Sequence, residues 1–121
     1  MMSDTENQDQ LRQETLARRQ GVVSALENER GTRVITLIHR REPWEENTSQ
    51  EDPNLCIEDS ESILMQIRAT PPARPIDLII HTPGGLALAA EMIATAVKLH
   101  PARVTVIVPF YAMSGGTLIA L

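Results

Sequence analysis

The sequence of 121 residues has little of three things that large classes of protein require. Cys56 is its only cysteine, which excludes an internal disulfide and a cysteine-based metal cluster. The aromatic residues are only Trp44, Phe110 and Tyr111, too few for stacking surfaces that bind exposed bases. No apolar run approaches the roughly 18 residues of a membrane span, and the polar N-terminus is not a secretory signal. We therefore expect a cytoplasmic protein, whose association with a membrane would need a segment that this sequence does not encode.

Basic residues are also fewer than acidic residues, 11 against 16. The net charge is −5 and the pI is about 5.1, which argues against a nucleic-acid partner. Eight acids and no base lie between Glu42 and Glu61. Apolar residues nevertheless make up 42 % of the chain and charged residues 22 %, so the composition predicts a folded domain with an aliphatic core.

Apolar runs alternate with helical patterns along the chain. We predict a polar helical arm over residues 1–30 and a domain over 31–121. Within the domain the strands are predicted at 33–39, 75–81 and 103–108, and the helices at 58–69, 86–100 and from 117 onward. Continuous apolar strands that alternate with helices predict an α/β fold whose parallel sheet is covered on both faces. The last helix reaches residue 121 with neither a cap nor a charge, so we expect the N-terminal part of a larger domain.

Two glycine turns each follow a predicted strand and open a predicted helix. Residues 81–85 read HTPGG, and residues 112–116 read AMSGG. In a parallel sheet both turns lie at the carboxyl ends of their strands, where such folds bind ligands. Each turn alone is as well explained by an ordinary bend or a serine N-cap, but the two together favour a site.

The two turns carry the groups that acyl transfer needs. Ser114 lies on a tight strand-to-helix turn, which would expose its hydroxyl as a nucleophile. The amides of Gly85 and Gly115 could stabilise an oxyanion, as paired backbone donors do in such sites. Four neighbours could line the crevice: His81, Gly84, Met113 and Gly116. His81 could reach the crevice as a base, but the favoured interpretation is a histidine that caps its strand or faces substrate.

From residue 76 onward the two motifs resemble the Clp-protease/crotonase superfamily, and the similarity extends back to residue 33. The branch that they resemble most is the serine dehydrogenase proteinase family, which is related to signal peptide peptidase A. The resemblance implies a spiral of ββα units with a mostly parallel sheet, a peptide or protein substrate and a homo-oligomer. It maps the nucleophile onto Ser114 and the oxyanion donors onto Gly85 and Gly115, and it implies no metal and no nucleotide cofactor.

One part of the family's pattern is absent. A serine nucleophile needs a base, and the resembled families carry it downstream of the serine, whereas this sequence ends seven residues after Ser114. We assign no base and expect these residues alone to be inactive. Two alternatives stay open: a crotonase-type acyl-thioester enzyme that stabilises an enolate in the same oxyanion hole, and a scaffold without catalysis that binds partners through its arm.

Overall fold

The computed structural model describes residues 3–39, 54–109, 111–112 and 115–121. These residues form four helices and three strands. In chain order they are α1 (Asp4–Arg30), β1 (Arg33–Ile38), α2 (Ile57–Ala69), β2 (Ile76–His81), α3 (Ala87–Leu99), β3 (Val104–Ile107) and α4 (Gly115–Ala120). None of the helices in this part of the chain combines the length and apolar character that crossing a membrane would take.

The three strands form one parallel sheet in the order β1-β2-β3. The predicted α/β fold with a parallel sheet is therefore confirmed, with strand ends that differ by at most one residue from the prediction. Pairing continues past the carboxyl ends of the strands. The amide of His39 donates to the carbonyl of His81 at 2.7 Å, and Thr82 forms a parallel bridge with Ala112. These contacts bring the ends of all three strands together at one edge.

The core lies on the face of the sheet that α2, α3 and α4 cover. Alternate strand residues supply it because successive side chains point to opposite faces. Its strand members are Ile35, Leu37, Ile76, Leu78 and Ile80, and its helical members include Ile63, Ile67, Ala89, Ala90, Ile93 and Ile119.

The prediction that both faces of the sheet are covered is wrong for the carboxyl-terminal half of β1, although Val34 at its start is buried on the outer face. Thr36 is exposed and Ile38 is 49 % exposed on the face opposite the core. The reason is the character of α1, which is polar along its length and buries none of its residues. A groove of about 810 Å³ separates α1 from the outer face of β1 and β2.

Each strand-to-helix segment contains a second, very short stretch of pairing. Leu55, just before α2, forms a parallel bridge with Gly85, just before α3. Among the described residues, Leu55 is the bridging residue between β1 and α2, and Gly85 is the bridging residue between β2 and α3 that pairs with it. This is the ββα arrangement in reduced form.

α1 has well-defined ends. Ser3 and Glu6 form a reciprocal capping box at its start, and Gly31 closes its end with φ of 66°. The left-handed conformation at this cap favours glycine, because a residue without a Cβ adopts it at little cost. In addition, Arg30, the last residue of α1, forms an ion pair with Asp77 of β2, which attaches the helix to the sheet.

Asp77 is the charged residue of an otherwise apolar strand and is 1 % exposed. Its carboxylate accepts from Arg30 Nε, from Arg30 Nη2 at 3.2 Å and from the hydroxyl of Thr32 at 2.9 Å. Burial raises the pKa of Asp77, but the hydrogen bonds from Arg30 and Thr32 outweigh burial, so the net shift of the pKa is downward. The carboxylate is thus stabilised as the charged form inside the sheet.

We expect Arg30→Met to lower the free energy of unfolding at pH 7 clearly more than Arg12→Met does, because it removes the hydrogen-bonded cation from a buried carboxylate. The pKa of Asp77 is lowered in the folded state, so its stabilising contribution is present above its ordinary pKa of 3.8 and disappears as the pH falls through the folded value. The loss caused by Arg30→Met should therefore shrink below pH 3.8. Urea unfolding of the variant at several pH values, beside the exposed control Arg12→Met, measures this. Equal losses in both variants contradict the prediction.

Candidate active site

The structure brings the first glycine turn beside the segment that precedes the second. The amide of Thr82 donates to the carbonyl of Tyr111 at 3.3 Å, within the bridge that pairs Thr82 with Ala112. The two turns therefore leave adjacent parallel strands at the same edge, where folds of this class bind ligands. Met113 and Ser114 lie outside the described residues, so the position of the predicted nucleophile is not among the observations.

The first turn is held in a conformation that only glycine adopts readily. Gly84 has φ of 97° and Gly85 has φ of 150°. The backbone of Leu55 presses directly on Gly85, since a Cβ added there would lie 2.4 Å from the Leu55 carbonyl oxygen and 2.6 Å from its nitrogen. The second glycine of HTPGG, Gly85, is therefore required because a side chain there would collide with the backbone of Leu55.

The pairing of Leu55 with this turn also orients the Gly85 amide. Leu55 donates its N–H to the carbonyl of Gly84 at 2.7 Å and accepts from the amide of Leu86 at 2.8 Å. In a parallel bridge, the residue between those two partners directs its own N–H and C=O away from the neighbouring segment. The Gly85 amide thus points away from Leu55, as a donor to a bound group has to.

The second turn continues into α4, which begins at Gly115. Gly116 is buried, and a Cβ added to it would lie 2.6 Å from Thr82 Cγ2 and 3.3 Å from the Cβ of Ala112. The methyl group of Thr82 thus fills the space that a side chain at position 116 would need. Gly116 is required because the two turns approach each other this closely.

We expect Gly116→Ala to destabilise the fold by about 1–3 kcal/mol, the usual cost of forcing extra volume into a packed site. Thr82→Ser removes the methyl group that the new Cβ would meet and keeps the hydroxyl. The double variant should therefore recover part of the loss, which a double-mutant cycle of urea unfolding measures. Gly21→Ala is the control, because nothing lies within 4 Å of a Cβ there and alanine favours the helix. Additive losses from the two substitutions contradict the predicted clash.

Thr82 also anchors a buried polar network that the sequence analysis did not identify. Thr82 is 0 % exposed; its Oγ1 accepts from the amide of Gly84 at 3.1 Å and lies 2.6 Å from His39 Nδ1. The other ring nitrogen of His39 lies 3.0 Å from Asp59 Oδ2. That same oxygen accepts from the amide of Cys56 at 3.0 Å. The network links β1, the first glycine turn and the start of α2.

The start of α2 shows why Asp59 has this position. The helix has Cys56 as its N-cap residue, and Asp59 at the third helical position accepts from the Cys56 amide. The Cys56 thiol also donates to Asp59 at 3.3 Å. A hydrogen bond from the backbone amide of Asp59 lowers the pKa of Cys56. Burial and the carboxylates of Asp59 and Glu58 together raise that pKa by more, so the net shift is upward. The thiol is therefore held protonated and unreactive.

His81 lies differently from Thr82. Its side chain points to the face of β2 opposite that of Ile80, because side chains alternate along a strand. Its ring stacks on Tyr111, with centroids 4.4 Å apart and planes tilted by 53°. His81 and Tyr111 therefore contact each other across the two strand ends. Among the described residues, no group of three or more His, Cys, Asp or Glu side chains is placed to hold a metal ion.

Comparisons with known proteins agree with this architecture. Two uncharacterised proteins of Methanocaldococcus jannaschii are similar to the chain. MJ1495 is 59 % identical over 99 residues, which cover 82 % of this chain and 34 % of that protein. MJ0137 is 56 % identical over 112 residues, which cover 93 % of this chain and 39 % of that protein. The chain thus spans little more than a third of the length of these relatives.

A solved structure shares the fold. A mutant of ClpP1 from Listeria monocytogenes superposes with a TM-score of 0.56 at 20 % identity, over 78 % of this chain and 48 % of that one. The family of ClpP-like, SDH-type serine proteinases matches residues 6–121, nearly the whole sequence. The chain therefore belongs to the family of ClpP-like, SDH-type serine proteinases.

Proposed function

We propose that the domain to which these residues belong is a serine peptidase whose nucleophile is Ser114. The observation that carries the proposal is the geometry of the first turn. The Gly85 amide is directed away from Leu55 by the backbone bridge, at the strand edge where the chain leads into Ser114. Gly115, which follows the serine and opens α4, supplies the second candidate donor.

The proposed reaction has two halves. Ser114 Oγ forms a bond to the carbonyl carbon of a peptide, its proton passes to a base, and the carbonyl oxygen becomes an oxyanion that the amides of Gly85 and Gly115 stabilise. The carbon–nitrogen bond then breaks, and the amine leaves with that proton. Water next attacks the acyl-enzyme ester, which releases the acid and restores the serine hydroxyl.

His39 is a poor candidate for the base. One of its ring nitrogens lies 2.6 Å from Thr82 Oγ1 and the other 3.0 Å from Asp59 Oδ2, so both are engaged. A proton acceptor must have a free nitrogen within hydrogen-bond reach of the serine. The proposal therefore follows the resemblance, which places the base downstream of the serine motif.

A homo-oligomer and a peptide or protein substrate are part of the proposal. Leu16 is 44 % exposed and Val22 66 % exposed on α1, beside the groove that separates this helix from the sheet. Burying such apolar side chains would favour association. Size-exclusion chromatography with light scattering on the full-length protein tests this part.

The experiment that tests the nucleophile is labelling with a fluorophosphonate probe, followed by mass spectrometry of the peptides. The full-length protein should form one phosphonyl adduct, on the peptide that contains Ser114. Ser62, which is exposed on α2, is the internal control and should stay unmodified. Protein unfolded in urea should form no adduct. An adduct that also forms on Ser62 or after unfolding contradicts the proposal, as does a folded protein that forms none.

The two rival functions give different results in the same preparation. Hydration of an α,β-unsaturated acyl-thioester without any adduct at Ser114 favours the crotonase-type enzyme, since the enolate intermediate needs the oxyanion donors but no nucleophile. A protein that forms defined oligomers and shows neither activity favours the scaffold.

A further inference from the structure

In the buried network behind the first glycine turn, only one placement of the hydrogens gives every donor an acceptor. Asp59, as a carboxylate, only accepts, so the Nε2 of His39 must carry a hydrogen. Thr82 Oγ1 accepts from the Gly84 amide, and its own hydroxyl proton then has His39 Nδ1 as its acceptor. The neutral Nε2–H tautomer of His39 therefore completes the chain.

The other protonation states leave a group without a partner. A hydrogen on His39 Nδ1 would donate to Thr82 Oγ1, and the hydroxyl proton of Thr82 would then have no acceptor in this network. Thr82 is 0 % exposed, so water cannot replace that acceptor from the surface. A buried polar group without a partner is costly, which favours the Nε2–H tautomer.

Both ends of the glycine turn are connected to this network. On one side, Thr82 Oγ1 holds the amide of Gly84. On the other, Asp59 accepts from the amide of Cys56, and the adjacent Leu55 is the residue whose backbone brackets Gly85. His39 joins the two sides, because it contacts Thr82 with one nitrogen and Asp59 with the other.

Such a connection matters because of the residues that it holds. Gly84 and Gly85 have positive φ angles and lack side chains, so the turn has little of its own to fix the direction of its amides. A displacement of about 1 Å at a reacting group can cost about a hundredfold in rate. The direction of the Gly85 amide has to be set by what lies behind the turn.

We propose that His39, oriented by Asp59, is a positioning residue that sets the direction of the Gly85 oxyanion donor through Thr82. In this role it acts through Thr82 and not on the substrate. The inference rests on the proposed function, since it assigns a purpose to the Gly85 amide that a peptidase would use.

Two substitutions at position 39 separate the two contacts of the ring. Asparagine places an amide oxygen near the position of Nδ1, where it can still accept from Thr82. Glutamine extends an amide nitrogen toward the position of Nε2, where it can still donate to Asp59 but leaves Thr82 without its acceptor. The two variants are similar in polarity, so they serve as controls for each other.

We expect His39→Gln to lower kcat for peptide hydrolysis by about tenfold to a hundredfold with KM changed less than about twofold, since transition-state geometry is what is lost. His39→Asn should retain more of kcat. Affinity for a peptide aldehyde, which forms an oxyanion with the serine, should fall in His39→Gln, whereas affinity for a product peptide should not. Rates are divided by the fraction of protein that the fluorophosphonate probe labels, so that unfolded protein does not count.

A second pair of variants repeats the test at the other end of the contact. Thr82→Val keeps the shape of the side chain and removes the hydroxyl, and Thr82→Ser keeps the hydroxyl. Thr82→Val should reproduce the loss in kcat of His39→Gln, and the two losses should not add, because they break the same contact. Nitrogen NMR of the wild-type protein should show Nε2 of His39 protonated and Nδ1 bare.

The outcomes separate this inference from the function on which it rests. A wild-type protein without an adduct at Ser114 overturns the proposed function, and this inference with it. An active wild type in which His39→Gln and Thr82→Val keep their kcat overturns this inference alone. An Nδ1–H tautomer for His39 also overturns it, whatever the activity.

Discussion

Ser114→Ala is expected to lower kcat for peptide hydrolysis by at least about 10⁴-fold in the full-length protein, since removal of a nucleophilic serine leaves only the oxyanion donors and substrate binding. KM should change little, because the hydroxyl contributes mainly to the transition state. The folded fraction should also be unchanged. The two quantities to measure are kcat on a fluorogenic peptide and the rate of labelling by the fluorophosphonate probe.

The matched control is Ser62→Ala on the exposed side of α2. The exposed Ser62 hydroxyl accepts from Gln66 Nε2 at 3.2 Å, one turn further along the helix, so its loss should leave both rates unchanged. Undiminished labelling or hydrolysis in Ser114→Ala removes Ser114 from the mechanism. Hydration of an α,β-unsaturated acyl-thioester that survives in Ser114→Ala favours the crotonase-type alternative.

The layout of the fold follows from signals that are local in the sequence. Each strand is a continuous apolar run, as RVITLI of β1 and IDLIIH of β2 illustrate, and each is followed by a helical pattern. Such runs predict parallel strands because only strands covered by crossover helices need to be apolar throughout. Gly31 and the pair Gly84 and Gly85 are recognisable because positive φ angles select glycine.

The polar contacts could not be predicted from the same signals. His39 and Thr82 are 43 residues apart, and Arg30 and Asp77 are 47 residues apart. Strand order and register decide which polar side chains lie next to each other, and local sequence patterns contain no information on either. Once the order β1-β2-β3 is known, the pairing of Ile38 with His81 predicts that His39 and Thr82 lie side by side.

The uncovered face of β1 was missed for a related reason. The apolar sequence of β1 predicts burial on both sides, but the element that faces its outer side is the polar helix α1. The apolar pattern of a strand predicts that both of its faces should be buried, but it does not show whether another element of the chain buries them. Ile38 therefore remains half exposed beside the groove under α1.

Gly85→Ala is expected to lower kcat by about 10²–10³-fold, the usual effect of removing one donor from an oxyanion hole. The new Cβ would lie 2.4 Å from the carbonyl oxygen of Leu55 and 2.6 Å from its nitrogen, both of which are backbone atoms in a bridge. Neither can rotate aside, so the turn itself must move, and with it the proposed oxyanion donor. The substitution leaves the proposed nucleophile in the sequence, so a slow reaction should persist.

Gly31→Ala is the control that separates this effect from backbone strain. Gly31 also has a positive φ, of 66°, but nothing lies within 4 Å of a Cβ there, and it caps α1. Gly31→Ala should lower the free energy of unfolding by about 1 kcal/mol, as alanine at a left-handed position does. It should leave kcat unchanged once rates are corrected for the fraction of folded protein. Affinity for a peptide aldehyde should fall in Gly85→Ala and not in Gly31→Ala. If Gly85→Ala loses only as much activity as its folded fraction, the turn is structural and the oxyanion must be held by other donors.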